Sequence, residues 1–338
     1  MSLRSLASNR IDRVHNPAYL QPLAIKFTQR DGLVADTVAP RVTVPKQSDK
    51  YRIFGKNTLL TGESRWAPGA IPNVLEVRWS EAPFYVDIRK IRALVLDTER
   101  RNSDNDIDLE TQATDAVTTN LVLSREQRVA TLFTTAGNYG STHKITKSGG
   151  SEWDSATNLG NSQAITDMQN MIMAVVADAM VPASALTVVI PEIVYLTALQ
   201  NNAGILSRIQ YSSTGIVTTD LLRALLGVKE VILSSAMSAG PGPEVADSDV
   251  ITGFTTTYLW GDTVWVGLIN DGSNQNQPTF ARSFNWTAET GGQIRQIRRY
   301  RAEDEGREGD WIECKEAVSE SIVFANAGAV VLNTLSTI

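Results

Sequence analysis

The sequence is short of the residues that most often carry chemistry. Cys314 is its only cysteine, so no disulfide can close within one chain and no cysteine-based zinc site can be assembled there. A reducing cytosol suits such a protein. Histidine is nearly as scarce: only His15 and His143 occur, and their surroundings, VHNPAY and STHKIT, show neither a metal-ligand nor a triad pattern. Apolar runs are short as well. None approaches the roughly 18 residues that span a bilayer, and the opening MSLRSLASNR lacks the apolar stretch of a secretory signal. The expectation is a soluble protein that stays where it is made, without membrane contact.

Catalytic motifs are missing too. Lys147-Ser148 follows His143-Lys144-Ile145-Thr146 instead of the spaced glycines that cradle phosphates. No dinucleotide fingerprint follows a strand, and neither G-x-S-x-G nor H-E-x-x-H occurs. Asn285-Trp286-Thr287 matches a glycosylation acceptor, a pattern without meaning in a cytosolic protein. No catalytic residue, cofactor or metal is expected, and an α/β enzyme, one rival reading, would have to work with scattered carboxylates.

What is present describes a folded protein. A chain of 338 residues, 42% hydrophobic and 20% charged, can bury about two domains. The 31 basic and 37 acidic residues give a net charge of −6, which argues against a surface that grips nucleic acid all over. Residues 1 to 30 are locally basic, with Arg4, Arg10, Arg13, Lys26 and Arg30 against Asp12. A solvated arm with ordinary ion pairs is favoured there over a DNA contact.

The first fifty residues have neither helical nor strand periodicity, yet they carry Leu20, Leu23, Ile25, Phe27, Leu33, Val34, Val42 and Val44, so an arm lying on another surface is expected. Residues 44 to 85 read as a hairpin: Tyr51 to Phe54 on one side, alternating Leu75, Val77 and Trp79 on the other, and a tip broken by Gly55, Gly62, Pro68, Gly69 and Pro72. A lone hairpin is marginal in water, and Trp66 in its tip has no core of its own to enter. The segment is therefore expected to pack on a neighbouring subunit.

From Ile107 to Phe133 the spacing predicts a helix, with Leu109, Ala113, Val117 and Leu121 four apart and Val122, Val129, Leu132 and Phe133 continuing; its length would be roughly 35 to 40 Å. Asp104, Asp106 and Asp108 precede it. They read as helix caps and not as a calcium loop, because Leu109 stands where that loop needs glycine and Asp115 where it needs glutamate. Ser162 is expected to cap a second helix with Ile165, Met168, Ile172, Val175, Val176 and Ala179 inward. Leu186 to Ile190 reads as a buried strand running at Pro191 into a helix, and Thr219 to Leu226 as a helix stopped by Gly227 before a strand, Val228 to Leu233. The last third is strand-like over 258–269, 279–286, 293–301, 311–315 and 322–332. Arg295, Arg298, Arg299 and Arg301 are followed by Glu303, Asp304 and Glu305, so ion pairs are favoured there over DNA binding.

Several stretches resemble, in order, the major capsid proteins of tailed bacteriophages. GLVADTVAPRVTVPKQSDKYRIFGK (32–56) is similar to the family's arm and the start of its long loop. Ala67-Pro68-Gly69-Ala70, NDIDLE to LSREQRVATLF, and Glu152-Trp153-Asp154 follow. VPASALTVVIPEIVYLTALQ and TTDLLRALLGVKEVI resemble its strand-helix and helix-strand pair. The similarity covers roughly residues 30 to 235, each motif being weak by itself and the shared order carrying the assignment.

The resemblance implies an α+β, Hong Kong 97-like fold: an N-terminal arm (1–43), an E-loop (44–85), a peripheral domain with the spine helix (86–175, returning at about 286–320), and an axial domain (176–285, completed by 321–338). It implies self-assembly into hexamers and pentamers of an icosahedral shell around double-stranded DNA, in a virion assembled in the bacterial cytoplasm. Because the capsid-like arm begins almost at Met1, a separate scaffolding protein is expected, together with a portal and a decoration protein as further partners. Residues expected at subunit contacts are Val34, Val42 and Val44 on the arm and Arg52, Lys56, Arg65 and Trp66 on the loop. Some relatives join a loop lysine to a neighbour's asparagine. Lys50 or Lys56 could meet Asn326, but no motif demands it and a buried carboxylate would have to take up the proton. An encapsulin-like nanocompartment shell of the same fold is the other rival.

Overall fold

A computed structural model describes residues 32–59, 65, 68–69, 71, 74, 77–102, 108–200, 202–209, 217–239, 256–270, 277–302 and 308–336. The basic residues 4–30, Trp66, Asp104, Asp106 and the acids 303–305 lie outside them. In chain order the first elements are α1 (Ala35–Val38), β1 (Arg41–Thr43), β2 (Ser48–Phe54), β3 (Trp79–Tyr85), β4 (Ile88–Leu96), α2 (Asp97–Asn102), α3 (Leu109–Thr134), β5 (Lys144–Thr146), α4 (Ala156–Leu159) and α5 (Gln163–Ala179). Then come β6 (Leu186–Pro191), α6 (Glu192–Val194), α7 (Ala203–Ile209), α8 (Thr219–Leu226), β7 (Glu230–Ser234), β8 (Met237–Ala239), β9 (Thr256–Tyr258) and β10 (Val264–Leu268). The last are β11 (Ala281–Asn285), β12 (Arg295–Arg301), β13 (Gly309–Ile322) and β14 (Gly328–Leu332).

Two five-stranded sheets organise the chain. The first has the order β1-β11-β13-β12, with β4 also on β13. The 14-residue β13 makes this layout possible: residues 309–317 pair with β4, and Ala281 to Asn285 of β11 pair with its end, Val318 to Ile322. The second sheet runs β5-β14-β10-β6-β7. Every residue of β6, β10 and β14 is buried, as central strands covered on both faces must be. Helix α5 packs on β14 and β10 through Ile165, Met168, Ile172 and Val175, while Val176 and Ala179 lie at its margin.

Helix α3 serves both sheets. Leu109, Ala113, Val117 and Leu121 meet Ile91, Ala93, Val95, Ile312 and Cys314 of the first, so the lone cysteine is core filling. Val129, Ala130 and Phe133 enter the main core instead, where Phe133 meets Trp260, Trp265 and Phe280 edge-on at 4.9 to 5.6 Å. The four-residue spacing of the first half thus reappears as one rod crossing two cores.

Several boundaries differ from the sequence reading. The expected strand 258–269 is divided into β9 and β10, because the chain turns through Gly261, whose φ of +55° no strand accommodates. The expected strand 322–332 is interrupted by a 3₁₀ turn, Ala325–Ala327. Strand β13 extends well beyond 311–315, since Lys315 and Glu316 are buried with charged partners that alternation cannot reveal. Strand β3 starts only at Trp79, and Val77 is exposed before it. Ser162 stands at the start of α5 but makes no capping bond. Asn161 Oδ1 accepts from the Gln163 N–H at 2.9 Å instead, and the Ser162 hydroxyl accepts from Arg208 at 2.7 Å. The anticipated domain break at 175 falls inside α5, and β11, placed before the break at 285, belongs to the first sheet.

Candidate functional site

The arm residues Val34, Val42 and Val44, expected to need a neighbour's surface, are buried in their own subunit at 3%, 9% and 7% exposure. Strand β1 explains two of them. It pairs in parallel with β11, Val42 opposite Phe284, and the Val44 N–H reaches Asn285 O at 2.9 Å. Val34 joins the main core beside α1. The segment 34–44 is thus part of the body, and its apolar side chains give no reason for an overlap between copies.

The finger formed by β2 and β3 behaves differently. Its two strands pair antiparallel from Ser48–Tyr85 to Phe54–Trp79, and among the described residues no third strand joins their ladder, although the Tyr51 hydroxyl donates to Ile322 O of β13 at 3.5 Å. The root carries its apolar contacts with the body. Phe84, Val86 and Val44 pack with Phe284 and Ala317, and the Phe84 and Phe284 rings stack at 4.5 Å. Beyond the root the apolar residues face outward: Trp79, Val77 and Leu59 are half or more exposed, Val74 reaches 84% and Ile71 91%. These side chains have no apolar cover of their own.

The charged residues expected at contacts, so far as they are described, lie along the same ribbon. Arg52 sits over the Trp79 ring at 5.4 Å and 4.0 Å from Glu81. Lys50 is 3.6 Å from the same carboxylate. Arg65 is exposed near the tip. Lys56 lies 3.8 Å from Asp178 Oδ1, and Asn326 Nδ2 donates to Asp178 Oδ2 at 3.2 Å. An amine, an amide and a carboxylate therefore gather within one subunit, but the Asp178 side chain is 40% exposed and is not the buried proton acceptor that a lysine–asparagine bond would require.

Arg295, Arg299 and Arg301 of β12 are engaged. Arg299 pairs with Asp310 at 2.7 Å and Glu110 at 2.7 Å, and Arg301 with Asp97 at 2.5 Å. Arg295 faces Glu316 at 3.8 Å. Ion pairing was the favoured sequence reading, but the partners come from α2, α3 and the neighbouring strand β13. These bonds pull the carboxyl groups of Asp97 and Asp310 below the usual range, Arg301 acting first on one and Arg299 on the other.

Sequence reasoning passed over Arg125 and Glu126, which are 2% and 1% exposed inside α3. A signal existed: position 125 continues the spacing 109, 113, 117, 121, so a charge there stands where a core residue belongs. Both residues hold the arm root. Among the described residues no group of three or more His, Cys, Asp or Glu could hold a metal, and no helix is long and apolar enough to cross a membrane. The arrangement offers docking surfaces.

No protein-family model and no curated protein matches the sequence. Solved structures do match. A phage-related protein from Bordetella bronchiseptica superposes with a TM-score of 0.65 at 18% identity, over 90% of this chain and 93% of that one. The capsid of cyanophage P-SCSP1u gives 0.64 at 12% identity, over 95% and 93%. The SrpI encapsulin of Synechococcus elongatus gives 0.50 at 12% identity, over 98% and 96%. Likeness along nearly the whole of each chain at such low identity is a likeness of architecture, and this chain has the α+β, Hong Kong 97-like fold of phage capsid subunits.

Proposed function

We propose that this protein is the major capsid protein of a tailed bacteriophage, a structural subunit with no reaction of its own. The finger carries the reading: a two-stranded ribbon fixed at its root, with Ile71, Val74, Val77 and Trp79 turned to solvent, gains most by lying across another copy. Arg52, Lys56, Arg65 and Trp66 are the residues assigned to that overlap. The first sheet with α3 would form the peripheral domain and the second sheet with α5 and α8 the axial one. Contacts that close into rings give hexamers and pentamers, and lateral contacts join the rings into an icosahedral shell. Many weak overlaps then act together. The remaining partners are packaged double-stranded DNA on the inner face, a separate scaffolding protein, a portal and a decoration protein, with assembly in the host cytoplasm.

Deletion of residues 56 to 72 tests this. Soluble subunits that no longer form closed particles by electron microscopy are expected, whereas normal particles would contradict the proposal. The likeness to an encapsulin supports a second reading, a nanocompartment shell. Nuclease-protected DNA with a tail vertex identifies a virion, and protein cargo a compartment.

A further inference from the structure

Arg125 and Glu126 are adjacent polar residues buried in the middle of α3, a placement that demands partners. Four of their seven partners come from one short segment, the others being Trp260, Ser283 and Glu320, whose Oε1 lies 3.5 Å from Arg125. Glu126 Oε1 accepts from the Val34 N–H at 3.1 Å and from the Trp260 indole at 2.8 Å, and its Oε2 accepts from the Ala35 N–H at 2.8 Å. Arg125 pairs with Asp36 and donates to Ala39 O at 3.3 Å and to Ser283 Oγ at 3.0 Å. One helical step thus holds the amide end of α1 by a carboxylate and its carbonyl end by a guanidinium. Arg41 closes the ring, donating to Asp36 at 2.9 Å and to Glu316 at 2.6 Å. Immediately before α1, Gly32 has a φ of +78°, and a Cβ there would stand 1.7 Å from Ser235 Oγ, so the chain passes this point through a gap that only glycine fits.

We propose that Arg125 and Glu126 form a clamp that docks residues 33–39 as a separable unit. Closed, it fixes the position and direction of the backbone at Gly32 and Leu33. Opened, it releases this root while both sheets stay intact. Separability follows from how little else holds it: α1 is four residues long, and its buried side chains, besides Val34 and Val38, are alanines. Units with few apolar contacts open below the global unfolding free energy. The clamp lies wholly within one subunit, so it does not rest on the shell reading.

Native-state hydrogen exchange on the full chain tests it. In Glu126→Gln one carbonyl oxygen must serve three donors. The Val34 and Ala35 amides are expected to exchange at least about tenfold faster, with those of β6, β10, β13 and β14 unchanged. Asp36→Asn alters a side chain that is 66% exposed, and it should speed Val38 and Ala39 by a smaller factor, roughly threefold. Unaltered exchange across 34–39 in both variants overturns the clamp. So does acceleration shared equally by the strands of both sheets, because then no separable unit exists. Should Glu126→Gln fail to fold, Asp36→Asn decides alone by the same two readings.

Discussion

Carboxylates gripped by cations join parts of the chain that lie far apart, and this makes the protein's stability depend on acid. The carboxyls of Asp97, Asp310 and Glu289 sit below their ordinary values, held first by hydrogen bonds from Arg301, Arg299 and Lys315 respectively. Asp108 is lowered by Thr111. For Asp36 burial opposes ionisation, but Arg125 and Arg41 outweigh it. A lowered folded-state value means that the unfolded chain binds more protons in the window between the two values. The contribution is therefore complete above the ordinary aspartate value of 3.8 and is lost as pH falls through the folded values. Asp262, raised by burial, runs the other way and is outnumbered. Urea unfolding midpoints should drop as the pH falls below about 4, and the drop should be shallower in the Asp97→Asn, Asp310→Asn double variant; a level wild-type profile would contradict this. At this scale the sequence was legible where a residue acts locally: Asp108 accepts from the Glu110 and Thr111 amides at 3.1 Å, as a cap should. It was opaque for Glu126 and Asp310, whose partners are set by the tertiary fold alone.

Single elements are stabilised by features that can be removed one at a time. Asp108→Ala takes the cap from α3 and should cost about 1 kcal/mol, and Gly227→Ala puts a side chain at the left-handed end of α8, where φ is +67°, for about 1 kcal/mol; both are read by chemical denaturation. Phe84→Ala removes one ring of the root stack, and a loss of about 3 kcal/mol is expected, with faster amide exchange along β2 and β3. Long periodic elements were visible in advance. Helix α3 was expected over 107–133 and occurs at 109–134, and α8 occurs at Thr219–Leu226 as anticipated. Where strands begin and end was less visible, because turns such as that at Gly261 and paired charges such as Glu316 depend on neighbours brought in by the fold. The arm shows the same limit. Its valines looked homeless along the chain, yet β11 supplies them a place.

For the whole molecule the question is which surfaces are already spent. The root of the arm is committed to its own body, whereas the finger is not. Ile71→Ser, Val74→Ser and Val77→Ser together should leave the melting temperature within about 2 °C, since exposed positions contribute little to folding, but should sharply reduce the yield of closed particles on a sucrose gradient. A large fall in melting temperature would mean that these residues are covered within the monomer. The finger's build, an aromatic stack at the base and a two-stranded ribbon beyond, is that of a cantilever held at its support. In the proposed shell, a subunit serving in rings of five and of six would meet neighbours at unequal tilts. Bending such a beam would absorb the change in curvature where almost no packing is disturbed, so that one sequence would occupy both settings without altering either core.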